Sequence, residues 1–246
     1  MAAAEHIAHE PDHAHLPFPL TELQHAYWIG RQGHYALGGV ACHAYLEADA
    51  ADGLDIGRLE HCWNTLVERH GALRLVIDES GQQRILPRVP AYRIRVAELS
   101  AATPQALAEH CDGWRHAMSH QVLDAAQWPL FDVRATRLPG GATRLHIGID
   151  MLINDATSGQ IIWEELAALY RAGGDLEQAG LAPFEISFRD YVLAKYVRSA
   201  PRRAARESAR AYWLGKLETL PPRRSCPCAP RRCTVPPRDS RGASIA

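Results

Sequence analysis

The stretch from Phe131 to Tyr170 constrains the fold of this chain more than any other, because it reads as two strands, a loop and a helix in that order. Phe131 to Leu138 leads into the turn Pro139-Gly140-Gly141, and Arg144-Leu145-His146-Ile147-Gly148-Ile149-Asp150 returns, so the sequence predicts a hairpin ending at Asp150. From Gly159 to Tyr170 the residues Ile161, Ile162, Leu166, Leu169 and Tyr170 fall at helical spacing, with Ser158 placed to cap the first turn. The connection carries Asp150, Asp155 and Ser158, groups that can handle protons at the end of a rigid strand, where catalytic side chains are often mounted. The plainer alternative is that Ser158 only caps the helix and both carboxylates face water.

The remaining chain supplies more of both kinds of element. Thr21 and Gln24 have capping-box spacing, which predicts a helix from Thr21 to about Arg31. Val40 to Glu47 alternates weakly as a strand, and Asp55 to His70 is an amphipathic helix with Ile56, Leu59, Trp63, Leu66 and Val67 on one face. Gly71 is placed as its C-cap, followed by strands over Leu73 to Asp78 and Gln83 to Leu86. A strand at Tyr92 to Val96 and helices at Pro104 to Met118, Phe188 to Arg198 and Arg202 to Leu220 complete the pattern. Alternating helices and strands with at least one hairpin predict an α/β class, or α+β, with a mixed sheet and flanking helices. Arg69 and Arg74 stand where the chain turns back inward, either as solvated caps or as anchors for a buried carboxylate, with Asp155 the obvious candidate.

With 246 residues, 47% of them hydrophobic, the chain can bury a sizeable core. The net charge of -1 is uneven: residues 221–246 hold six arginines and one aspartate, leaving 21 basic against 27 acidic residues in the first 220. A mildly acidic body argues against a nucleic-acid partner, whose phosphates call for a basic face. No apolar run is long enough to span a membrane and no secretory signal opens the chain, so the expectation is a cytoplasmic protein without a membrane partner, its Cys42, Cys62 and Cys111 reduced. Residues 1–15, with His6, His9, His13 and His15 but no apolar periodicity, are expected to be a flexible linker rather than a metal site.

Three ordered stretches carry a resemblance. Phe18-Pro19-Leu20-Thr21 with Gln24, Ala26, Tyr27, Gly30 and Arg31, then Arg69-His70 with Leu73 and Gly81-Gln82, then Asp150 with Asp155 and Ser158, are similar to successive motifs of the heterocyclization domains of nonribosomal peptide synthetases. These belong to the condensation-domain superfamily, and the likeness is to siderophore synthetases that make thiazolines. The resemblance covers residues 16–220. It implies a chloramphenicol-acetyltransferase-like fold and a reaction between two carrier-held substrates. An acyl thioester on an upstream carrier protein is attacked by the amine of a cysteine, serine or threonine on a downstream carrier, and the side chain then closes to a thiazoline or oxazoline. The substrates ride on phosphopantetheine of the partner carriers, with no cofactor bound to this chain itself.

Ordinary condensation domains carry HHxxxDG at the loop. Here Asp150 stands at the first histidine, Met151 at the proton-handling second one, and Asp155 at the aspartate. Methionine cannot shuttle protons, which disfavours plain amide formation or an HxxxD acyltransferase, although His146 and Asp150 spell the shorter pattern. Asp155 is read either as a buttress paired to the Arg69 to Arg74 segment or as a proton-handling group whose pKa burial raises, and Asp150 is open in the same way.

The chain departs from the family at its end. A complete domain has two lobes, and the sequence is expected to supply the N-terminal one over residues 16–222, truncated and incompetent alone. Tyr212-Trp213 and Leu220-Pro221-Pro222 match the family before the chain turns to Arg223-Arg224-Ser225-Cys226-Pro227-Cys228. A one-base shift of GC-rich codons there restores Ala-Pro-Glu-Leu-Pro-Leu-Arg. Residues 223–246 are therefore expected to be an out-of-frame, disordered tail, and Cys226, Cys228 and Cys233 no zinc site.

Overall fold

A computed structural model describes residues 7–33, 38–217 and 219–220. The chain divides into two compact units, Met1–Ala200 and Pro201–Ala246. In the first, strands β1 (Phe18–Pro19), β2 (His43–Ala50), β3 (Leu75–Ile77), β4 (Gln82–Ile85), β5 (Arg95–Glu98), β6 (Phe131–Arg137) and β7 (Thr143–Asp150) form two sheets, ordered β1-β4-β3 and β2-β7-β6-β5. Helices α1 (Glu22–Gly30), α2 (Ile56–Arg69), α3 (Pro104–Ser119), α4 (Ala156–Arg171) and α5 (Phe188–Val192) flank them, α5 continuing into a π-helical segment, Leu193–Arg198. Helix α6 (Ala200–Leu217) extends into the second unit.

The larger sheet positions the loop. β7 pairs antiparallel with both neighbours, with His43 opposite Asp150 and Phe131 opposite Ile149, whereas β5 and β6 are parallel and α3 is their crossover. Alternation along β7 puts Leu145, Ile147 and Ile149 into a core shared with Leu59, Trp63 and Leu66 of α2 and with Ile162, Leu166 and Leu169 of α4. Trp63 is fully buried edge-on to Phe131, their ring centroids 5.3 Å apart, and truncating such a side chain costs roughly 3–5 kcal/mol.

The other face of β7 is polar and covered by α3. Buried His146 stacks against Tyr45 and meets Trp114 edge-on. The Tyr45 hydroxyl donates to Glu47 at 2.9 Å, so the His146 Nδ1–H donates to Tyr45 at 2.8 Å and Nε2 accepts from Thr136 at 3.1 Å. Arg115 of α3 clamps the same Glu47 carboxylate at 2.7 and 2.9 Å.

Several boundaries differ from the sequence reading for physical reasons. Residues 71–74 form a 3-10 turn before β3, and a Cβ at Gly71 would press on the Ile85 side chain at 3.2 Å. His70, in extended conformation, is the residue that ends α2. Residues 7–15, expected to be a linker, include a 3-10 turn at Pro11–His13 and are tied down: His9 Nδ1 bonds Asp190 at 2.9 Å, and Glu10 receives Arg198 at 3.0 Å and Arg189 at 3.4 Å. The tail from 223, with its three cysteines, lies outside the described residues, as does His6. No described helix is long and apolar enough to cross a membrane.

Candidate functional site

The loop after β7 is held from two sides by α1. Thr21 and Gln24 form the expected capping box, with Gln24 N–H to Thr21 Oγ1 at 3.2 Å and Thr21 N–H to Gln24 Oε1 at 3.0 Å. The Gln24 amide then donates to the Leu152 carbonyl and to Gln83 Oε1, both at 2.8 Å, and Gln83 donates to Pro19 at 2.9 Å. At the other end of α1, the C-cap residue Arg31 sends its guanidinium under the loop to the Asp150 carboxylate and to the Leu123 carbonyl at 3.1 Å. Tyr27 packs against the core between these anchors. Gly30 closes the helix with nothing within 4 Å of a would-be Cβ, so nothing in the structure explains the glycine.

Asp150 is therefore the buttress. Its side chain is 1% exposed and that of Arg31 6%. Its Oδ1 also accepts the Leu152 N–H at 3.0 Å, an Asx turn that fixes the chain as it leaves the strand. Asp155 sits elsewhere: it is exposed, it is the N-cap of α4, and its Oδ1 accepts the Ser158 N–H at 2.7 Å. This corrects two expectations. Ser158 is not the cap but the residue whose N–H is capped, and Asp155 does not pair with Arg69 or Arg74.

Those two arginines have other partners. Arg69 makes a paired contact with Glu165 of α4 at 2.9 and 3.3 Å, and the His70 Nε2–H donates to the same carboxylate at 2.7 Å. Burial pushes Glu165 up, but the Arg69 and His70 hydrogen bonds outweigh it and hold the carboxyl below its ordinary range. Burial lowers His70 despite Glu165, which keeps the imidazole neutral. Arg74 donates to the carbonyls of Leu86, at 3.0 Å, and of Val67 and Glu68, tying down the end of α2.

Asp155 does not have the raised pKa that the sequence reading allowed. Hydrogen bonds from the Ser158 backbone and side chain hold it below the usual carboxylate range, so it stays ionised. It stands at a groove of about 290 Å³ lined by Thr21, Asn154, Asp155, Ser158, Tyr191 and Tyr196, among others. Larger hollows of about 670 and 690 Å³ lie beside Phe184 and beside Trp28, but neither holds a residue of the Asp150–Ser158 loop. Sequence reasoning missed Gln83, Asn154, Glu165 and the two tyrosines. Gln83 follows the Gly81-Gln82 pair directly and was within reach of a pattern search, whereas of the tyrosines Tyr191 lies in α5 and Tyr196 in the π-helical segment that continues it.

A family model described as Condensation domain matches residues 17–239. The chain is 36% identical over 219 residues to pyochelin synthetase PchF of Pseudomonas aeruginosa, covering 89% of this chain and 12% of that protein. It is 38% identical over 207 residues to phenyloxazoline synthase MbtB of Mycobacterium tuberculosis, covering 83% of this chain and 14% of that one. Among solved structures it resembles the EpoB NRPS cyclization-docking bidomain from Sorangium cellulosum, with a TM-score of 0.76 and 35% identity over 89% of this chain and 42% of that chain.

Proposed function

Because the chain belongs to the condensation-domain family, we propose that it is the motif-bearing lobe of a heterocyclization domain, joining a carrier-bound acyl thioester to a carrier-bound cysteine, serine or threonine and closing the product to a thiazoline or oxazoline. The mixed α/β architecture is the chloramphenicol-acetyltransferase-like one of condensation domains. The chain spans 42% of the cyclization-docking bidomain and smaller shares of the curated relatives, so the two-carrier reaction is the family's chemistry read onto this site.

The observation that carries the reading is the division of labour in the loop. Met151 stands where an ordinary condensation domain has its proton-handling histidine, Asp150 is locked under Arg31, and Asp155 is left ionised at the groove. In the first stage the amine nitrogen bonds to the thioester carbon. The carbon–sulfur bond breaks, and the proton shed by nitrogen leaves with the thiol. Nitrogen becomes positive as it attacks, and a fixed carboxylate beside it lowers that barrier. In the second stage the cysteine thiol, or the serine or threonine hydroxyl, adds to the new amide carbonyl, whose oxygen departs as water. An oxazoline is the product named for the mycobacterial relative. Both substrates would arrive on phosphopantetheine of upstream and downstream carrier proteins, which are the proposed partners.

Incubating the chain with an acyl-loaded upstream carrier and a seryl- or cysteinyl-loaded downstream carrier, followed by intact-protein mass spectrometry, tests this. Binding of both loaded carriers without turnover is the expected result for this lobe alone. Acyl mass appearing on the downstream carrier, with a second species lighter by one water, would make the lobe competent by itself, and neither binding nor transfer removes the reading altogether.

A further inference from the structure

Strand β2 is an edge of the larger sheet and pairs with β7 along its whole length, from His43 to Ala50. The Met151 N–H donates to the Cys42 carbonyl at 2.9 Å, and on the opposite side of β7 the Asp150 N–H donates to the Leu130 carbonyl at 3.0 Å. Antiparallel alternation from these two bonds turns the backbone groups of Ala44, Leu46 and Ala48 toward β7 and those of His43, Tyr45, Glu47 and Asp49 away from it. Among the described residues, none of these outward N–H and C=O groups meets a hydrogen-bond partner. Proteins usually blunt such an edge with lysine, proline, a bulge or a covering element. β2 has no lysine or proline, its register with β7 runs without a bulge, and α3 is clamped to the face of the strand, where Arg115 meets the Glu47 side chain.

The strand also leaves apolar surface open. Leu145 and Ile147 of β7 are buried in the core, yet Ala48 and Leu46, which stand opposite them on β2, are exposed, Leu46 by 44%. An occupant of this edge must bring a matching row of backbone groups and an apolar residue level with Leu46, and a second β2 brings both. In antiparallel pairing about a two-fold axis, only the register centred on Leu46 uses all four outward residues. It sets Leu46 against the second copy's Leu46, Ala44 against Ala48, Tyr45 against Glu47 and His43 against Asp49, with no like charges opposed. Centring on Glu47 would oppose two glutamates and drop His43 from the ladder, and centring on Tyr45 would drop Asp49.

We infer that β2 is a self-pairing edge, to which a second copy of this chain adds its own β2 across a two-fold axis at Leu46, joining the two larger sheets into one. This surface is independent of the loop chemistry proposed above. One strand from each copy falls short of the roughly 1,200 Å² that a stable complex buries, so the dimer is weak and forms as concentration rises.

Sedimentation of the full chain over a concentration series tests it. The mass should climb from 27.2 kDa toward twice that value and stop there. Leu46→Lys, which opposes two cations at the axis, should stay monomeric. In NMR hydrogen exchange the amides of His43, Tyr45, Glu47 and Asp49 should slow as concentration rises, while those of Ala44, Leu46 and Ala48, already bonded to β7, change little. Leu46→Cys should form a disulfide between copies under mild oxidation, since facing residues of a non-hydrogen-bonded pair lie about 4.5 Å apart, whereas Ala48→Cys should not. Peptide mass mapping separates that bond from any made by the six native cysteines.

A mass that stays at 27.2 kDa up to ~0.5 mM, or one that grows beyond the dimer, would overturn the inference. So would a dimer that survives Leu46→Lys, outward amides indifferent to concentration, or cross-linking as ready at position 48 as at 46. Where Leu46→Lys loses its fold, the exchange and disulfide results decide.

Discussion

Removing the Asp150 carboxylate strands the Arg31 guanidinium in a site where both side chains are almost fully buried. Breaking such a pair from one side costs about 3–5 kcal/mol. Asp150→Ala should therefore lower the unfolding free energy by about that amount in a denaturant titration, whereas Asp155→Ala, which removes an exposed helix cap, should cost about 0.5–2 kcal/mol. Equal losses would contradict the division of labour between the two. A second expectation concerns pH. Burial lowers the His146 pKa to about 4, so between pH 6.5 and 4 the unfolded chain takes up a proton that the folded chain refuses. Stability should be full above pH 6.5 and decline as pH falls toward 4, and His70 contributes with the same sign. The carboxylates of Glu165, Asp155 and Asp190 are lowered as well, and their contribution is lost only as pH falls below about 4.5. Thermal melts from pH 8 to pH 4 check this, and His146→Gln should flatten the upper part of the curve. The identities of the loop residues were legible in the sequence, but their partners were not. Arg69 and Arg74 looked like the natural cations for Asp155. Yet Asp150 leaves β7 on the α3 face, where the end of α1 delivers Arg31 from 119 positions away.

Elements with a repeating apolar stripe could be read directly. Leu59, Trp63, Leu66 and Val67 made α2 visible, and the Thr21 and Gln24 pair located the start of α1 to within one residue, Thr21 being its N-cap. Elements defined by their neighbours could not. β1 is two residues long and exists because Phe18 and Pro19 pair with Gln83 and Gln82. The π-helical turn after α5 has no local sequence signal, although segments of that kind often adjoin functional sites. It brings Tyr196 beside the loop, and the N-terminal segment reaches it through Glu10, which binds Arg198. Glu10→Ala should release that segment. Hydrogen exchange is expected to speed up across residues 7–16 and 188–198, with little change in global stability, since solvent screens exposed ion pairs. Unchanged exchange in these two stretches would show that the segment does not brace the groove wall. Gly53 tests a different junction. Its φ is +76° and a Cβ would lie 2.6 Å from the Gly141 carbonyl oxygen, so Gly53→Ala should cost about 1–3 kcal/mol by forcing apart the turn after β2 and the β6–β7 hairpin.

For the molecule as a whole, the motifs that looked separate in sequence prove to be one device within the first unit. The Thr21 to Arg31 stretch grips the loop at Leu152 and Asp150, while Arg69 and His70 pin α4 through Glu165, so the helix that Asp155 caps is fixed at both its start and its middle. That is why a resemblance spread over three distant stretches identified the family before any contact was known. The groups facing the groove, by contrast, depend on which way each side chain leaves its element, and spacing alone does not carry that information. In the proposed function Asp155 is the carboxylate that meets the substrate. The most direct test of that role is a titration of the wild type and Asp155→Asn with a downstream carrier protein, either seryl-loaded or carrying free phosphopantetheine. The wild type should prefer the loaded carrier by about tenfold, and Asp155→Asn should lose that preference while keeping its fold and its affinity for the unloaded carrier. An undiminished preference in Asp155→Asn would contradict it.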